Sequence, residues 1–146
     1  MNAKRWAAGI LFLAGAFAAA NASAAELKVL AVDSLKPAMM ELEKAFDASS
    51  KDKLKVEYAS SADIEKKITA EDDYDLVITD KKMTDGFYKA AKVAGGSVKS
   101  VAKHGDQVYD ISMTNWTQHP LPAQAVIDFL QSAKAKDVFK AKGMQG

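Results

Sequence analysis

The 146-residue chain contains no cysteine. That excludes disulfides, thiolate metal sites and cysteine nucleophiles. It suits an oxidising compartment, where a stray thiol is a liability, and leaves the fold to stand on its hydrophobic core. Histidine is scarce: His104 and His119 are the only two. Neither has metal-ligand spacing, and both read as solvated loop residues, so no metal and no cofactor is expected. No glycine-rich phosphate loop is present. Glu71, Asp72, Asp73 and Asp75 form a short acidic run, but the calcium-loop pattern is missing, and the run reads as a helix end and solvated turn. There is no surplus of either charge. Twenty basic residues face 19 acidic ones, which argues against a nucleic-acid partner, since such proteins need a basic excess to neutralise phosphates. After residue 24 no apolar stretch approaches the roughly 20 residues a membrane helix requires.

The N-terminus carries a pattern of its own. Lys4 and Arg5 precede an uncharged apolar run over 6–20, and small residues at Ala20, Ala22 and Ala24 offer cleavage sites. Charge, apolar core and small residues in that order predict a secretory signal peptide over 1–24. The run is too short for a transmembrane anchor. Cleavage is expected after Ala24, with Ala22 the alternative, leaving a periplasmic protein of one domain over 25–146. Loss of Lys4 and Arg5 leaves 18 basic against 19 acidic residues.

Residues 27–32 are apolar and β-branched and predict a first strand. A helix follows, with Met39, Leu42, Ala45 and Phe46 on one face and Pro37 in its first turn. Alternation over 54–58 predicts a second strand, and Ile64 and Ile68 mark a second helix. A buried run within 74–79 is the third strand. Met83, Phe87, Ala90 and Ala91 mark a third helix, expected to stop at Gly95 and Gly96. Residues 97–103 and 107–114 alternate as two further strands around a turn at 104–106, and 115–122 reads as a proline-bearing loop. One long helix is expected over 124–142, stopped by Gly143. The order β-α-β-α-β-α-β-β-α predicts an α/β three-layer sandwich: a mainly parallel sheet with helices on both faces and a late antiparallel edge.

In such sheets ligands bind beyond the carboxyl ends of the strands. Three loops qualify: Asp33, Ser34 and Leu35; Ala59, Ser60 and Ser61; Thr79, Asp80 and Lys81. The first two set a serine at a helix start, where free N–H groups and the positive dipole end favour an anion. Each serine taken alone is an ordinary N-cap. Their equivalent placement after successive strands is what suggests two cradles converging on one tetrahedral oxyanion. Asp33 would repel a dianion unless it points away or is paired, and Lys36 could offset part of that field. Ser34 lacks the glycine context of a nucleophile elbow, and no base is positioned for it, so no catalytic residue is assigned.

The segments Val29 to Leu35, Tyr58 to Ser61 and Tyr74 to Asp80, with the C-terminal residues 124–130, 137–140 and Gly143, resemble periplasmic molybdate-binding proteins, the solute-binding components of molybdate ABC transporters. The resemblance implies a periplasmic-binding-protein-like fold and hydrogen bonds from Ser34 and Ser61, with Ser60 beside them, to molybdate, tungstate or a similar oxyanion. It implies an ABC permease as partner. Members of that family have two lobes that close on ligand; this chain matches about one, the second falling between about residues 96 and 118. A single lobe implies weak binding, or binding completed by self-association. The other reading is a periplasmic protein-interaction module that has lost its ligand, using Phe87, Tyr109 and Trp116 as an exposed apolar contact.

Overall fold

The computed structural model describes residues 24–146; the signal-peptide segment over 1–24 lies outside the described residues but for its last. Five strands form one mixed sheet in the order β2-β1-β3-β5-β4. They are β1 (Glu26–Val32), β2 (Lys53–Ala59), β3 (Leu76–Asp80), β4 (Lys99–His104) and β5 (Gln107–Met113). β2, β1 and β3 run parallel, whereas β5 is antiparallel to β3 and β4 antiparallel to β5. The central strands are buried on both faces, as Leu27, Val29, Leu30 and Ala31 of β1 and Leu76, Val77 and Ile78 of β3 show. That is why they read as continuous apolar runs, while edge strand β2 alternates. In β4 the alternation breaks because Val101 is an extra residue, between the Ser100–Asp110 and Ala102–Tyr109 pairs. The bulge lets Val101 and Ala102, adjacent in sequence, both be buried.

Helix α1 (Lys36–Ser49) links β1 to β2, α2 (Ser61–Thr69) links β2 to β3, and α3 (Lys81–Lys89) leads from β3 towards the hairpin. The chain steps outward from β1 to β2 and then back past β1 to β3. Right-handed crossovers in opposite directions place α1 and α2 on opposite faces. Accordingly α1 packs with the two C-terminal helices on one face, and α2 packs with α3 on the other. The face of α1 buries Ala38, Met39, Leu42 and Phe46, and Phe46 meets Phe129 edge-on with ring centroids 5.4 Å apart.

The C-terminus departs from the sequence expectation of one helix over 124–142. It forms α4 (Pro120–Leu130) and α5 (Ala133–Ala141). The helix therefore begins inside the segment read as a loop, with Pro120 in its first turn. Ser132 breaks the run, its Oγ accepting from the Ala135 N–H at 3.3 Å as N-cap of α5. The cause is geometric. Phe139 follows Leu130 by nine residues, about half a turn out of phase at 3.6 residues per turn. A continuous helix would aim Phe139 at solvent, whereas the break leaves both fully buried.

Helix stops differ too. α3 ends at Lys89, not at Gly95 and Gly96. It closes with Ala91 in the left-handed region at φ 57°. The Lys92 N–H donates to the Phe87 carbonyl and the Ala91 N–H to the Tyr88 carbonyl, the double bond pattern of a Schellman close. The same pattern closes α2 at Glu71 and α5 at Gly143. Only the last of the three uses glycine. Asp75, read as part of a solvated acidic turn, is instead buried. Its carboxylate accepts from the Lys28 N–H at 2.9 Å and from Thr117 Oγ1 at 2.6 Å. It thereby stitches β1 to the segment before α4.

Candidate functional site at the carboxyl edge of the sheet

Strand order reverses around β1, between the outward step to β2 and the return to β3. That point, at the carboxyl ends of the strands, is where α/β sheets bind ligands. The parallel register pairs Val32 with Ala59. Ser34 and Ser61 thus stand at the same offset, two residues beyond neighbouring strand ends, which lie about 4.8 Å apart in a sheet. Both are exposed. Their surroundings differ, because the chain turns towards opposite faces after them.

Ser34 sits in a single 3₁₀ turn, Asp33–Leu35, with no side-chain cap. Its Oγ donates to the Tyr109 hydroxyl at 3.2 Å. Tyr109 is the β5 residue opposite Asp80 of β3, so the antiparallel hairpin brings a phenol to the edge defined by the parallel strands. Ser60 is the N-cap of α2, its Oγ accepting from the Asp63 N–H at 3.2 Å. Its oxygen is thus committed to the helix, the ordinary role of a serine there, while its O–H hydrogen is left to donate. Ser61 is the first residue of α2, where the backbone N–H groups of the opening turn lack intrahelical acceptors. The third loop is anionic: Asp80 caps α3, accepting from the Met83 N–H at 2.9 Å.

The charges are arranged unevenly. Asp33 is exposed beside Ser34. Lys36 lies 5.6 Å from the centroid of the Tyr58 ring, which holds a cation two residues beyond Ser34. The edge as a whole is an open ledge rather than a closed cavity, since Asp33, Ser34, Ser60 and Ser61 are all exposed. The larger cavities lie elsewhere. One of about 610 Å³ is bounded by Lys81, Asp85 and Val108. One of about 510 Å³ is bounded by Met83, Phe87 and Ala90.

His104 ends β4 and is exposed, and His119 precedes α4 with its N–H donating to Thr117 Oγ1 at 3.1 Å. Among the described residues no group of three or more histidine, aspartate or glutamate side chains could hold a metal ion. The exposed apolar contact expected of Phe87, Tyr109 and Trp116 is not formed. Phe87 and Tyr109 are 5% and 9% exposed. Trp116 is half-buried, its Nε1 donating to the Asp72 carbonyl at 2.9 Å. Tyr109 is the residue that sequence reasoning misplaced. It lies 75 positions from Ser34, and only the β3–β5 register brings the two together.

The model of the bacterial extracellular solute-binding protein family matches residues 27–105, more than half of the chain. The chain belongs to this family. Its fold is shared with solved structures. The substrate-binding domain of a putative molybdenum ABC transporter from Clostridium difficile superposes with a TM-score of 0.75 at 13% identity, covering 84% of this chain and 99% of that one. The periplasmic molybdate-binding protein of Azotobacter vinelandii superposes with a TM-score of 0.76 at 11% identity, covering 81% and 98%. Among curated proteins none matches by sequence. Membership of this solute-binding family makes binding, rather than catalysis, the class of activity to examine. Among the described residues no helix is long and apolar enough to cross a membrane.

Proposed function

We propose that this solute-binding family member works in the periplasm and holds a tetrahedral oxyanion of the molybdate or tungstate type on the ledge formed by Ser34 and Ser61. The observation that carries this reading is the Val32–Ala59 register, which sets the two serines at matching positions beyond adjacent strands. Ser61 offers a hydroxyl donor near the positive end of a helix, the setting that favours an anion, and Ser34 does so once an anion takes the hydrogen it otherwise gives to Tyr109. Tyr109, bonded to Ser34, is a third hydroxyl within reach of the same ligand. Ser60, beside Ser61, caps α2 with its oxygen and keeps its O–H hydrogen to donate to the anion. One fold neighbour is a periplasmic molybdate-binding protein, which supports the ligand class, and the other is the substrate-binding domain of a putative molybdenum ABC transporter, which supports an ABC permease as recipient.

An open ledge with Asp33 beside it leaves the anion hydrated on one side, so affinity is expected to be weak unless another chain, a second copy included, covers the site. Calorimetric titration with molybdate tests the assignment. The wild type is expected to bind, and Ser34→Ala and Ser61→Ala each to lose about tenfold in affinity, one donor to a charged group being worth about 1.5 kcal/mol or more. Equal affinity in wild type and both variants would sink it.

A further inference from the structure

Asp52 is a buried carboxylate without a cation. It stands in the short loop between α1 and β2 and is 8% exposed. Among the described residues no ion pair includes it. A carboxylate taken out of water without an opposite charge is destabilising. The hydrogen bond it does accept, among the described residues, comes from the Ala25 N–H, 2.9 Å from Oδ1. Its own N–H donates to Ser50 Oγ at 3.1 Å, which fixes the loop that carries it.

Ala25 is held from both sides. Its carbonyl accepts from the Lys53 N–H at 2.9 Å, directly before the Glu26–Lys53 pair that opens the β1–β2 register. Its nitrogen faces Asp52, and that nitrogen is the atom that signal-peptide cleavage after Ala24 turns into a chain terminus. Hydrolysis of the Ala24–Ala25 bond consumes one water. The water oxygen goes to Ala24, which leaves as a carboxylate. Both hydrogens go to the Ala25 nitrogen, which becomes an ammonium group. An α-amino group loses its proton only near about pH 8, so the new terminus is charged at neutral pH. Ala24 is exposed, and its departure leaves room for the two added hydrogens.

We propose that removal of the signal peptide completes the fold electrostatically: the new α-ammonium of Ala25 pairs with Asp52 and clamps the start of β1 to β2. The inference rests on cleavage after Ala24 and is independent of which solute the ledge holds. In the precursor the same nitrogen is an uncharged amide, so the clamp arrives with processing and the mature chain is the more stable form. At its other end β1 reaches Val32, whose pairing with Ala59 sets Ser34 and Ser61 level. The clamp therefore secures, from the far end of the strand, the register on which the ledge depends.

Urea unfolding of the chain over 25–146 with a free terminal amine, and of the same chain N-acetylated, tests this. Acetylation keeps an N–H for Asp52 and removes only the charge. At neutral pH the free amine is expected to lower the unfolding constant about tenfold, the scale of a charge-assisted bond to a buried partner. In Asp52→Asn, whose carboxamide still accepts from Ala25, the free and acetylated chains are expected to unfold alike. Equal stability of the two wild-type chains, or an undiminished gain from the free amine in Asp52→Asn, would overturn the proposal. Mass spectrometry of the exported protein is expected to find Ala25 at the terminus. A chain that begins at Ser23 would set the ammonium two residues away from Asp52 and overturn it as well.

Discussion

Tyr58 and Ser112 carry the buried side-chain oxygens left without a partner among the described residues, and Tyr58 is the titratable one. Its hydroxyl is buried without a hydrogen-bond partner among the described residues. Burial, and then the nearby Glu43 charge, push the phenol up to about 12. In the unfolded chain a tyrosine ionises near about 10, so the unfolded state releases its proton first. The stability this group contributes is present below about pH 10 and is lost as pH climbs from there towards about 12. Tyr58→Phe removes both the orphan hydroxyl and the titration. We expect a gain of about 1 kcal/mol at neutral pH by urea unfolding, and a shallower loss of stability above about pH 10 than in the wild type. A loss at neutral pH would show that the hydroxyl has a stabilising partner. Ala91 offers a second case. Held at φ 57°, it occupies a conformation that costs an L-residue about 1 kcal/mol or more. Ala91→Gly is expected to stabilise by about 1 kcal/mol in the same assay, and a destabilised variant would contradict the strained close of α3.

At the scale of elements, the strands were the most legible part of the sequence. β1 and β3 announce themselves as β-branched runs because both of their faces are covered, and β2 alternates because it is an edge. The helices were legible by face but not by boundary. The stop of α3 was expected at Gly95 and Gly96, since glycine is the usual left-handed residue, but the chain instead tolerates Ala91 there. The C-terminal helix was read as one because its apolar residues are dense enough to hide a change of phase. The signal was present, since Phe139 cannot share a face with Leu130 in one straight helix, and Ser132 marks the break. Ser132→Ala removes the cap on Ala135 and is expected to cost about 1 kcal/mol, read as a lower urea midpoint at unchanged slope. An unchanged midpoint would show that packing of Phe139 alone sets the break.

For the whole molecule, the alternating pattern foretold the three-layer architecture, and the order of crossovers places the ledge at the strand ends where the serines were expected. Ser34 and Ser61 could be found from sequence because both follow strands directly. Their matching offset needed the Val32–Ala59 register. Tyr109 could not be found, since its meeting with Ser34 depends on an antiparallel strand added 75 residues later. The same hairpin stands within the interval where the resemblance placed a second lobe, and among the described residues the ledge is exposed. The account therefore rests on whether one wall, built from Ser34, Ser61 and Tyr109, discriminates among tetrahedral anions. The most direct measurement is thermal unfolding of the chain over 25–146 with molybdate, tungstate, sulfate and phosphate in turn, at millimolar concentration and matched ionic strength. A ligand that binds only the folded state must raise the melting temperature by mass action. The account predicts a rise with molybdate and tungstate that exceeds any with sulfate or phosphate and disappears in the Ser34→Ala, Ser61→Ala double variant. A melting temperature indifferent to all four anions would contradict it.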